Sequence, residues 1–308
     1  MKIIYKAFAY VCGMIIIIVS LNILTPNLYA SQRDDISAIV DNPRYFHSFS
    51  FGRSHAGSLD YEYYHKKGHN FALGGRDLAS IDYLLRFLVP ECDSLEEVLL
   101  FVSYTSLYFD NTAMSAGNLN DARKALYYSV PSFMPIDIQD LNNLIFGKFL
   151  MFIQADHGWK FIKGDAGKLA ASAKDNKLLT VDEIAVSGET QSRRDVLDKR
   201  NALNYNPNIV QDNSDKLRQI VEYCKNNHVS VYLIQAPYFH TYTEKVPKEI
   251  ISEVDSIVKS ISLEYNVPYY DFSNDNRFAN DITLFANSDH LNLNGKIKFT
   301  EILNNTIK

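Results

Sequence analysis

The sequence is poor in the features that would point to nucleic acid, metal or a disulfide scaffold. Its net charge is −5, and its basic residues form only short pairs such as Lys66-Lys67 and Arg193-Arg194. A nucleic-acid partner needs a basic face, so none is expected. The three cysteines have no framework spacing: Cys12 lies in an apolar run, and Cys92 and Cys224 form at most a lone pair. His65, His69 and His157 lack the spacing of metal ligands, so neither a metal nor another cofactor is expected. There are no internal repeats and no long Pro/Gly/Ser linker. With 308 residues, 46% apolar and 22% charged, the chain has the composition of one globular domain behind a targeting segment.

That segment is residues 1–31. Lys2 and Lys6 flank a stretch without charge from Ala7 to Ser31, centred on "MIIIIVSLNIL". The run is long enough to cross a bilayer as a helix, and the lysines favour the cytoplasmic side. Leu28-Tyr29-Ala30 before Ser31 offers a mediocre cleavage site. The expectation is therefore either a signal anchor with the body outside the membrane, or a signal peptide whose removal leaves a secreted or periplasmic protein.

Residues 32–308 read as one α/β domain. "RYFHSFSFG" and "HNFALGG" are strands ending at glycines, and "EVLLFVSY", "VSVYLIQAP" and "VPYYDFS" are later strands. "LASIDYLLRFL", ending at Pro90, "NSDKLRQIVEYCKNN", "KEIISEVDSIVKSISLEYN" and "LNGKIKFTEILNNTI" are helices. Alternation of this kind implies parallel pairing and a three-layer sandwich with a mainly parallel sheet, flavodoxin-like in class. Residues of about 105–206 break the pattern and read as a helical insertion, containing "LNDARKALYYSV", "DIQDLNNLIFGKFLMFIQADH" and the polar "GDAGKLAASAKDNK".

Sites on open parallel sheets form beyond the carboxyl ends of the strands. There the sequence puts Gly52-Arg53-Ser54-His55, Gly74-Gly75, Ser103-Tyr104-Thr105-Ser106, His240 and Asp271, with "NSDHLNLNG" before the last helix. A serine hydroxyl becomes a nucleophile only when a neighbouring base takes its proton. Ser54 and His290 supply that pair. The bland alternatives are a helix-capping Ser54, a loop histidine at 290 and a Gly75 that only turns the chain.

"FGRSH", "NFALGG" and "DHLNLNGKIKFT" together resemble the SGNH (GDSL-like) hydrolases over the chain after residue 42. The terminal block is similar to envelope-associated members related to alginate O-acetylation and teichoic-acid D-alanylation proteins. The resemblance implies Ser54 as nucleophile, His290 as base, and the N–H groups of Ser54 and Gly75 as oxyanion donors. It implies a serine esterase or O-acyltransferase acting outside the membrane through an acyl-serine, on acylated envelope glycans or another ester, with possible envelope assembly partners. Two positions depart from the pattern. Asn287 stands where an aspartate often lies three residues before the histidine and can still fix the ring as an amide, while the adjacent Asp289 points away in extended chain unless a turn brings it round, so both are candidates to orient His290. "SYTSLYFDN" lacks the usual third-block asparagine, leaving the hydroxyls of Thr105 or Ser106 as substitute donors. These departures support the alternative, a weak or inactive relative that binds glycan or envelope partners.

Overall fold

The computed structural model describes residues 2–24, 30–110, 129–134 and 178–307. Helix α1 (Lys2–Leu24) is followed by α2 (Ala30–Asp41), β1 (Ser48–Phe51), β2 (Gly68–Asn70), α3 (Leu78–Glu91) and β3 (Glu97–Phe101). After these come α4 (Val181–Tyr205), α5 (Ile209–Asn226), β4 (Ser230–Gln235), α6 (Lys248–Tyr265) and β5 (Tyr269–Asp271). A hairpin of β6 (Phe285–Asn287) and β7 (His290–Leu291) then leads into α7 (Leu293–Thr306).

The chain divides into two compact units. One comprises Met1–Asp35 with Arg123–Asp175, and the other Ile36–Ala122 with Asn176–Lys308. Of the first unit, the described parts are α1, residues 30–35 and the short piece 129–134. Among the described residues, no helix is long and apolar enough to cross a membrane.

The second unit holds the sheet, in the order β2-β1-β3-β4-β5 with every pair parallel. This is the expected α/β architecture with helices flanking a parallel sheet, in flavodoxin-like order. Its core follows the period of two. Leu99 and Phe101 of β3 and Ile234 of β4 join Phe299 and Leu303 of α7 in one buried cluster. The alternate residues Val98, Leu100, Val231 and Leu233 are equally buried and face the other side. On that side α5 packs on β4 and against α3. In this order the chain reverses direction between β1 and β3, and the crevice beyond their carboxyl ends is where such sheets hold sites.

Several element ends differ from expectation. Strand β2 stops at Asn70, so "FALGG" is loop. Helix α3 does not stop before Pro90 but includes it in its last turn. The Arg86 carbonyl, which Pro90 cannot reach with an N–H, accepts instead from Tyr223 Oη at 3.4 Å. Helix α5 begins at Ile209, six residues before Asp215. The expected insertion contains α4, which sequence periodicity left unread. Its start is marked by a capping box in which Thr180 and Glu183 satisfy each other's backbone N–H. The segments "DIQDLNNLIFGKFLMFIQADH" and "GDAGKLAASAKDNK", and most of "LNDARKALYYSV", lie outside the described residues. Cys92 and Cys224 are free and buried, so they form no disulfide. Burial also pushes the Cys224 thiol up to about 12, leaving it unreactive at neutral pH.

Candidate active site

The site is built on the turn that leaves β1. Gly52 has φ +157°, and a Cβ there would lie 2.9 Å from the Cβ atoms of both Ala56 and Phe101. Only glycine lets the chain pass that close to β3 before it tightens into the 3-10 turn Ser54–Ser58. Asn70, at the tip of β2, holds this turn. Its Nδ2 donates to the carbonyls of Ala56 at 2.8 Å and Leu59 at 2.9 Å, while its Oδ1 accepts from Ala72 N–H. Ser54 is thereby fixed as the first residue of the turn, half-buried at the sheet edge.

His290 arrives from the opposite end of the chain. The antiparallel pairing of β6 and β7 makes a tight turn over residues 288–289, and His290 Nε2 sits 2.7 Å from Ser54 Oγ. The other ring nitrogen, Nδ1, lies 3.1 Å from both Asn287 Oδ1 and Asp289 Oδ1. Asp289 reaches the ring because residues 288–289 are turn rather than extended strand. Nδ1–H therefore has two acceptors, and Nε2 is left to accept the Ser54 hydroxyl proton. That is the tautomer a general base requires.

Asp289 is fully buried, and both of its oxygens are used. Oδ1 faces His290, while Oδ2 accepts from His55 Nε2 at 3.2 Å and from Arg194 Nη2 at 3.3 Å. Burial alone would raise its pKa. The hydrogen bonds from His290 and His55 outweigh that and hold the carboxyl well below the usual range. His55 is itself buried, and desolvation pulls its pKa down despite the bond to Asp289. It is thus a neutral ring, stacked on His290 at 4.7 Å between centroids and 14° between planes, with Tyr238 edge-on at 5.3 Å. Arg194 and Asn70 are contributors that sequence reading missed, and His55, beside the nucleophile, reads in sequence as an orientation or packing residue. Arg194 lies in the unread helix, and nothing in its neighbourhood marks it in sequence.

His55, Asp289 and His290 are also the one His/Asp group among the described residues whose ligand atoms lie within 4.8 Å of one another. The two imidazoles are nearly parallel, so their lone pairs do not converge on one point, and Arg194 puts a cation against the carboxylate. The donor set does not fit a metal ion.

The remaining sequence candidates are placed as follows. Gly75 is in the left-handed region at φ +74°, on the loop after β2. Thr105 and Ser106 lie on the loop after β3, beside the Ser54 turn, but both are buried and engaged elsewhere. Thr105 Oγ1 accepts from Arg53 Nη1 and is 3.0 Å from Ser103 Oγ. Ser106 Oγ accepts from Ser103 N–H at 2.9 Å. In these contacts Thr105 Oγ1 and Ser106 Oγ serve as acceptors, from Arg53 Nη1 and Ser103 N–H respectively. Asp271 holds its loop through Ser273 N–H at 2.8 Å. His240 pairs with Glu244 at 3.1 Å on the surface.

No known family model matches the chain, and no curated protein matches it. Among solved structures it is similar to a "putative acylhydrolase" from Bacteroides fragilis, with 11% identity and a TM-score of 0.40. The alignment covers 91% of this chain and 93% of that one. A likeness at that level carries no function across, so function is read from the site.

Proposed function

We propose that the protein is a serine esterase or O-acyltransferase. The single observation that carries this reading is the 2.7 Å approach of His290 Nε2 to Ser54 Oγ, with the opposite ring nitrogen held by Asn287 and Asp289. In the proposed reaction, the Ser54 oxygen attacks an ester carbonyl while its proton passes to His290 Nε2. The imidazolium so formed is stabilised by the ionised Asp289 beneath it. The backbone N–H groups of Ser54 and Gly75 are the proposed donors to the oxyanion. His290 then returns the proton to the leaving alcohol, giving an acyl-serine. An incoming water or sugar hydroxyl, deprotonated by His290, attacks that acyl group, and His290 returns the proton to the departing Ser54 Oγ.

Of the two departures that favoured a non-catalytic relative, the missing third-block asparagine stands, and the other was Asn287 in place of an aspartate. It loses weight because Asp289 supplies the missing carboxylate from the adjacent position. The finer reading rests on sequence. The charge-free run behind Lys2 and Lys6 supports an exported domain, anchored or cleaved. The resemblance of the terminal block supports an acylated envelope glycan as substrate, with envelope partners.

The test is turnover of p-nitrophenyl acetate by the wild type, Ser54→Ala and His290→Ala. Both variants should lose at least about 10³-fold in kcat/KM. Equal turnover by wild type and Ser54→Ala would refute the assignment.

A further inference from the structure

The turn that carries the base is gripped from both sides by elements the reaction itself does not require. Ser288 is buried at its centre. Its carbonyl accepts from Phe239 N–H, on the loop after β4, at 2.9 Å. Its N–H donates to Ser187 Oγ at 3.1 Å, and its own hydroxyl lies 3.0 Å from the same oxygen. The next residue, Asp289, takes Arg194 Nη2 at 3.3 Å. Ser187 and Arg194 are seven residues apart on α4, close to two helical turns, so they project from one face.

That face is held to close tolerance. Gly188 lies so near the one-turn helix His240–Thr243 that a Cβ would sit 2.4 Å from Thr241 O. Thr241 Oγ1 closes the contact by donating to Ile184 O at 3.1 Å. Arg194 is fixed in turn. Its Nη2 and Nε donate to Asp195 Oδ1 at 2.8 and 3.0 Å, and Asp195 also accepts from Tyr242 Oη. Asp195 is almost fully buried, so the arginine is held between two buried carboxylates.

We propose that Ser187 and Arg194 are positioning residues, which make α4 a clamp that sets the orientation of the Asp289–His290 pair toward Ser54. This rests on the Ser54–His290 reading and adds to it a helix that the chemistry does not touch. Ser187 fixes the backbone of the turn. Arg194 fixes the carboxylate through Oδ2, so that Oδ1 stays on His290, and its charge opposes excess stabilisation of the imidazolium. The charged and titratable groups in the surrounding network are Arg53 and His55 on the nucleophile segment, Tyr108 after β3, Arg194, Asp195 and Asp198 on α4, Asp289 on the hairpin, and Tyr238 and Tyr242 after β4.

Removing the Arg194 charge leaves Asp195 and Asp289 uncompensated, which favours protonated His290. Arg194→Gln should therefore lower kcat about tenfold with little change in KM, and should move the acidic limb of the pH–rate profile up by roughly half to one pH unit. Arg194→Lys should return the limb towards wild type, because the charge is kept. Ser187→Ala should lower kcat severalfold without moving the limb. NMR titration of the His290 imidazole in the same variants gives the shift independently of turnover. A wild-type midpoint and limb in Arg194→Gln overturn the proposal, even where kcat has fallen through general loosening. If no Ser54-dependent turnover is seen but the imidazole midpoint still rises, the esterase reading fails and the clamp stands.

Discussion

Asp289 Oδ1 and His290 Nδ1 lie 3.1 Å apart although their residues are neighbours in sequence. Adjacent residues in a strand point to opposite faces, so this contact exists only because Asp289 belongs to the two-residue turn and His290 to the strand that follows it. Asn287, three residues before the histidine, reaches the same nitrogen at the same distance but as a neutral amide.

The charge on that acceptor decides how much each contributes. Asp289→Asn should cost about 10² to 10⁴ in kcat/KM, since the imidazolium loses its counter-charge and Nδ1–H its ionised acceptor. Asn287→Asp should change kcat/KM by less than about tenfold, because an ionised carboxylate is already in place. Steady-state kinetics on one ester compare the two. A large gain in Asn287→Asp with little loss in Asp289→Asn would reverse the assignment.

His55 titrates below an ordinary histidine because it is buried, so acid should destabilise the fold through it. Between its folded pKa and the unfolded value of about 6.5, the unfolded chain binds more protons, and stability therefore rises with pH across that window. The slope from one such group is at most about 1.4 kcal/mol per pH unit. Asp289, with its pKa depressed, adds a further loss only below about pH 4. Urea unfolding at pH 7, 6 and 5 should show the fall in wild type and a flatter profile in His55→Gln. Parallel profiles would mean the ring is not held neutral by burial.

Asn70 ties the nucleophile turn to the edge strand through two carbonyls. Asn70→Ala frees the Ala56 and Leu59 carbonyls and the Ala72 N–H. It should cost about 1–3 kcal/mol in stability and about tenfold in kcat. Chemical denaturation and kinetics on the same preparation check both. Unchanged kcat would show that Ser54 is set by Gly52 and the 3-10 turn alone.

Much of this was legible in the residues. The alternation of short apolar runs with amphipathic helices gives the parallel sheet, and "FGRSH" with "DHLNLNG" places Ser54 and His290 at one sheet edge. What could not be read was local geometry and distant contact. Whether Asp289 faces His290 depends on where a turn begins, and a one-residue change there reverses the side chain. The contact of Thr105 with Arg53 was not legible, because 52 residues separate them in sequence. Arg194 could not be found at all. Its value comes from its contacts with two buried carboxylates, one of them 95 residues away. Helix α4 carries few apolar residues on its buried face, which is why its periodicity is weak and its capping box is the stronger signal.

The account's central claim is that His290 makes Ser54 nucleophilic, and covalent capture tests it most directly. A serine-directed fluorophosphonate, followed by peptide mapping in a mass spectrometer, should place one adduct on Ser54 in the wild type and in Asn287→Asp. Labelling should slow by at least about 10²-fold in His290→Ala and vanish in Ser54→Ala. An adduct on another residue, or none in folded wild-type protein, would contradict it.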